Sequence, residues 1–132
     1  MMSFFIKTLF FILFISIVLI SCKKDVIRTY YPNGNIEMEI EVKNDVSNGV
    51  HNYFYESGNI KEVGYHIEGK AVDSSNVFYD MPIKKLKRIK YWNNDTLFYV
   101  KEFDTLGRMT REGSASAKGE KLGLWKIYPN FN

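Results

Sequence analysis

One cysteine, Cys22, and two histidines, His51 and His66, are all that 132 residues offer to disulfide, thiol or imidazole chemistry. A lone cysteine excludes an internal disulfide. Gly-x-Ser-x-Gly, His-Glu-x-x-His and the phosphate loop are also missing, so a serine nucleophile, a catalytic zinc and a nucleotide phosphate have no motif to hold them. Neither sign of charge dominates: 18 Lys and Arg stand against 15 Asp and Glu, leaving no strong whole-chain field to attract nucleic acid or an acidic substrate. Alanine is scarce, whereas Phe, Tyr and Trp make up 16% of the chain, a composition that favours strands over helices.

The only long apolar run lies at the start. Lys7 precedes an apolar segment from Leu9 to Ile20, broken by Ser16 and followed by Ser21 and Cys22. The segment is shorter than the ~20 residues that span a bilayer as a helix, and suits the core of a secretory signal. Its ending, Leu19-Ile20-Ser21-Cys22, resembles the lipobox of bacterial lipoproteins, which implies cleavage after residue 21 and acylation of Cys22. Two or three acyl chains hold a protein at a membrane durably, where one does so only marginally. Lys23 after the cysteine leans towards the outer membrane by the sorting pattern of such proteins. The expected organisation is a signal helix over 1–21, an acylated tether over 22–27 and one domain over 28–132.

That domain is written on a ruler. "YYPNGNI" at 30–36 returns as "FYESGNI" at 54–60, and Tyr31, Tyr55, Tyr79 and Phe103 stand at steps of 24. Ile36, Ile60, Leu86 and Met109 keep nearly the same spacing, with two residues gained in the third unit, and a fifth unit begins at "GLWKIYPN". A period of this size marks stacked supersecondary units. In "NIEMEIEV", Ile36, Met38, Ile40 and Val42 alternate with Glu37, Glu39 and Glu41, the period of a half-buried strand. The second and third units shift parity at Val63, Tyr65, Ile67 and at Ile89, Tyr91, which predicts a bulge or twist after the first strand residue. "PNGN" and "DTLG" carry turn chemistry that places Gly34, Gly58 and Gly107 at positive φ, while "NDVSNG", "IEGK" and "WNND" mark the opposite ends. The fold expected is all-β: an antiparallel meander of about four hairpin repeats in a twisted, single-layer sheet.

The unit itself, an aromatic pair, two residues, Gly, one residue, Ile or Leu, a strand, then Gly-x-x-x and another aromatic pair, resembles the MORN-variant repeat. The resemblance covers roughly residues 28 to 130, with "GVHNYFYESGNI" and "GLWKIYPN" its clearest copies. Gly-x-Trp is intact only at Gly123 to Trp125; His51 replaces the Trp in the first complete copy, and "DMPIKK" replaces the turn glycine of the third unit. The resemblance implies an antitoxin-like or immunity-like role, as proteins of this kind are often described so, and many are lipoproteins or secreted.

Candidate binding residues fall into two sets. Tyr31, Tyr55, Tyr79, Tyr91, Trp92, Phe103 and Trp125 form a candidate aromatic face, and Lys84, Lys85, Lys87, Arg88 and Lys90 a candidate basic patch. Basic and aromatic residues together suit anionic lipid, nucleic acid or an acidic protein surface, and export argues against nucleic acid. The same lysines also serve to protect a sheet from edge pairing. His51 and His66 can meet across a hairpin near a carboxylate, but their strand positions favour packing over metal binding. The glutamate row reads as a solvated strand face, and "EGSASAKGEK" at 112–121 as a flexible small-residue loop. The expectation is a lipid-anchored envelope protein, not an enzyme and without metal or cofactor, that recognises a protein partner. A glycan- or lipid-binding surface protein is the alternative, and a hydrolase a distant third.

Overall fold

The computed structural model describes residues 24–93 and 96–129, and all regular structure among them is strand. The expected signal helix and Cys22 lie outside the described residues. Nine strands follow one another: β1 (Asp25–Tyr30), β2 (Ile36–Lys43), β3 (Val46–Phe54), β4 (Ile60–Ile67), β5 (Lys70–Phe78), β6 (Leu86–Trp92), β7 (Leu97–Phe103), β8 (Met109–Ser116) and β9 (Lys121–Ile127). They form one open sheet in sequence order, each neighbour antiparallel, which is the expected meander. β1 begins at Asp25, within the 22–27 segment expected as a tether, so the sheet begins before residue 28.

Local chemistry dictates where the chain reverses. Gly34, Gly58 and Gly107 sit at φ 88°, 88° and 83°, as the turn chemistry predicts. The amides of Gly34 and Gly58 close back on the carbonyls of Tyr31 and Tyr55 at 2.9 and 2.8 Å. A side chain at such a φ crowds its own backbone, which glycine avoids. At the other end of the hairpins, Asn44 and Asp45 (φ 52° and 62°) and Glu68 and Gly69 (φ 49° and 81°) make the left-handed two-residue turns whose twist matches antiparallel strands.

A bulge recurs after the first residue of β2, β4, β6 and β8, leaving Glu37, Lys61, Lys87 and Thr110 as the extra residues. The expectation for the second and third units therefore extends to all four. The segment 112–121 differs from expectation. Glu112 to Ser116 complete β8, and Gly119 (φ 85°) closes a tight turn in which its amide meets the Ser116 carbonyl at 2.8 Å. Small side chains stand here because of packing: a Cβ on Gly113 would lie 2.6 Å from Cδ2 of Trp125.

Pairing across the sheet fixes two faces. Ile27, Ile40, His51 and Gly64 are successive partners, Ser75 lies beside Gly64, and the row continues through Lys90, Val100 and Gly113 to Trp125. By alternation from this row, every buried described residue lies on its side of the sheet, here termed the inner face. Phe98, Val100 and Ala115 form the core there, covered by Trp92 and Trp125. A single layer buries apolar groups only where large rings lie over small neighbours, and each such burial contributes ~1.5–3 kcal/mol.

Candidate functional site

The seven candidate aromatics do not share one face. Tyr31, Tyr55 and Tyr79 stand at hairpin ends, and their hydroxyls donate to the carbonyls of Phe54, Phe78 and Phe103, each at 2.8 Å. These are rungs that tie each hairpin to the next. The fourth such position by turn geometry is Asp104, not Phe103: the Gly107 amide meets the Asp104 carbonyl as those of Gly34 and Gly58 meet Tyr31 and Tyr55, whereas Phe103 ends β7 and accepts the Tyr79 hydroxyl, as Phe54 and Phe78 accept theirs. Trp92 and Trp125 cover the inner core, whereas Tyr91 points to the outer face, because neighbours on a strand alternate.

The basic run also divides. Lys84 and Lys85 precede β6, Lys87 is the bulged residue, and Arg88 and Lys90 point inward. Arg88 donates to Glu102 from Nε at 3.0 Å and Nη2 at 2.6 Å, and Lys90 to both oxygens of Glu62 at 2.9 Å. The ammonium groups of Lys84 and Lys87 lie 5.9 and 5.4 Å from the ring centres of Phe78 and Tyr79. The continuous cationic patch expected from sequence is therefore split by strand alternation and largely matched by carboxylates and ring faces. Of the glutamate row, Glu39 and Glu41 pair with Arg28 and Lys24.

Around Glu62 the inner face carries a polar cluster. His51 and His66 meet Nδ1 to Nδ1 at 2.8 Å, so one ring donates and the other accepts. His51 is 3% exposed; its burial, aided by His66, pushes its pKa down to about 4, against the opposing charge of Glu62. Burial lowers His66 as well. Ser75, fully buried, donates to Glu62 at 2.7 Å. Its proton is thus directed at a carboxylate and not at an imidazole, which is not the geometry of an activated nucleophile. The His51 ring lies over Gly64, where an added Cβ would be 2.7 Å from Nε2, as Trp125 lies over Gly113. Among the described residues no group of three or more His, Cys, Asp or Glu is arranged to hold a metal ion.

A second polar feature was not anticipated from sequence. Glu102 accepts Arg88 on one oxygen and Arg111 on the other, making an Arg–Glu–Arg row across β6, β7 and β8. Burial raises the Glu102 pKa, but the hydrogen bond from Arg111 and the charge of Arg88 outweigh it and hold the carboxyl below its usual range. On one side of the row is a cavity of about 430 Å³ walled by Tyr79, Phe103, Ile127 and Tyr128, with Lys87 and Asp104 at its border. On the other a recess of about 110 Å³ is lined by Phe98, Val100, Lys121 and Trp125. The signal for Glu102 and Arg111 was their cross-strand register with Arg88, which becomes visible only once the pairing is known.

Residues 65–112, from within β4 to within β8, match the model of a family described as a protein of unknown function (DUF2963). No curated protein and no solved structure matches the chain.

Proposed function

We propose that this is a lipid-anchored cell-envelope protein that acts by non-covalent recognition of a protein partner, of antitoxin or immunity type, through the inner face of its sheet. The observation that carries this reading is the open single layer. Nine strands lie side by side with no second layer among the described residues, so the inner face presents Trp92, Trp125 and the Arg–Glu–Arg row together on a broad surface. Aromatic rings and arginine are the side chains that concentrate binding energy at protein interfaces. Ion pairs already formed within the sheet hold these groups in place, which lowers the cost of ordering them on binding. Anchoring at Cys22 belongs to the same reading.

Two experiments test it. Cys22→Ala is expected to leave an uncut precursor and abolish incorporation of a labelled fatty acid; unchanged labelling would sink the anchor. Capture from envelope extract with the tagged full chain is expected to retain one stoichiometric protein. Retained polysaccharide would favour a glycan binder instead, and an empty eluate would remove the protein-recognition reading.

A further inference from the structure

We infer that the cavity beside the Arg–Glu–Arg row is a carboxylate-binding pocket, which takes an acidic side chain of the protein partner against an aromatic wall. This rests on the proposed recognition of a protein and assigns it a point of attachment. At about 430 Å³ the cavity lies within the roughly 300–1,000 Å³ typical of ligand sites. Its border carries three cations, Lys87, Arg88 and Arg111, against two carboxylates, Glu102 and Asp104. Asp104 is engaged by its own turn: it accepts the amides of Leu106 and Arg108 at 2.9 Å and Nε of Arg108 at 2.8 Å. Glu102 is left to balance three positive groups, and one more negative charge is favourable.

Geometry makes the excess specific. Each guanidinium has five N–H donors in a rigid plane. Glu102 engages Nε and Nη2 of Arg88 and Nε of Arg111, so it fixes both planes while other N–H edges remain for a ligand. The Arg88 and Arg111 side chains are 36% and 41% exposed, against 13% for Glu102, so the cations are more open to an incoming ligand than the internal carboxylate. The walls formed by Tyr79, Phe103 and Tyr128 thin the water around an incoming carboxylate and strengthen those hydrogen bonds. The cavity also lies where the tyrosine rungs stop: Asp104, in the fourth rung position, brings no hydroxyl to a space that Tyr31, Tyr55 and Tyr79 bridge at theirs.

The test is a titration of the full chain in detergent with the peptide acetyl-Gly-Phe-Glu-Gly-amide, followed by backbone amide shifts. Shifts centred on Glu102, Phe103 and Arg111 are expected. Affinity should fall about tenfold for the Gln peptide and for Arg111→Gln, the scale of one charge-assisted hydrogen bond, and about threefold for Lys87→Gln. Lys87 touches only a ring face, so its variant keeps the fold; if Arg111→Gln unfolds, Lys87→Gln and the Gln peptide decide alone. Equal response to the Glu and Gln peptides, or shifts confined to other strands, overturns the inference. Saturation by galacturonate at equally low concentration overturns it too, since the pocket would then be a uronate site. Capture of the envelope partner unchanged by Lys87→Gln would refute the pocket and spare the protein-recognition reading. Binding of the Glu peptide at the pocket, with no protein captured, would do the reverse.

Discussion

Tyrosine at 31, 55 and 79 exceeds phenylalanine by one oxygen, and that oxygen reaches the end carbonyl of the following repeat in each of the three cases. A hydrogen bond of this kind contributes a net ~1 kcal/mol. Tyr55→Phe is therefore expected to lower stability by about that amount. Urea unfolding of the variant checks the sign, and an unchanged midpoint would mean that the rung contributes no net stability. The histidine pair provides a second test. A base whose folded pKa is lowered is neutral in the fold and takes up a proton more readily when unfolded. Its contribution is complete above pH 6.5 and is lost as pH falls towards about 4, because burial and His66 hold His51 there. Midpoints measured between about pH 7.5 and about pH 5 should fall, and His51→Phe should flatten that slope. Phenylalanine suits the site because Trp125 fills the equivalent position. An unchanged slope would place the titration elsewhere.

At the scale of strands and turns, glycine conformation discriminates between reversals that look alike in sequence. Gly58 and Gly119 both sit at positive φ, 88° and 85°, so Gly58→Val and Gly119→Val are each expected to cost at least ~1 kcal/mol, read as thermal shifts. A harmless Gly119→Val would show that its turn relaxes. The step of 24 residues, the alternation in β2 and the turn chemistry at Gly34 and Gly58 made the meander legible before any coordinates. Gly119 was hidden because Gly113, Ala115 and Ala117 around it imitate a flexible linker, and nothing in single residues says that Trp125 needs the space. The candidate site was legible only in part. Arg88 and Trp125 stood out by type, but Glu102 and Arg111 acquire their role from register, which the bulges at Lys87 and Thr110 alter by one residue. The aromatic residues read as one face because repeat spacing reveals equivalence, not direction. A tyrosine at a hairpin end and a tryptophan inside a strand share the ruler and point to different places.

Across the whole molecule protection should be uneven, since apolar burial is concentrated in β7 and β8 and nearly absent from β1 and β9. Amide hydrogen exchange is expected to be slowest at Phe98, Val100 and Ala115 and fast along both edge strands. Uniform rates would mean that the sheet opens as one unit. The identity of strand order and sequence order has a further consequence for how the protein comes into being. A growing chain is delivered from its N-terminus, and domains generally begin to fold in that order. Here each strand finds its partner already laid down, so β2 can close on β1 while β9 is still unmade. No early strand waits, exposed, for a distant segment to arrive, as the inner strands of a Greek key must. Assembly by addition at one growing edge lets the order of emergence serve as the order of construction.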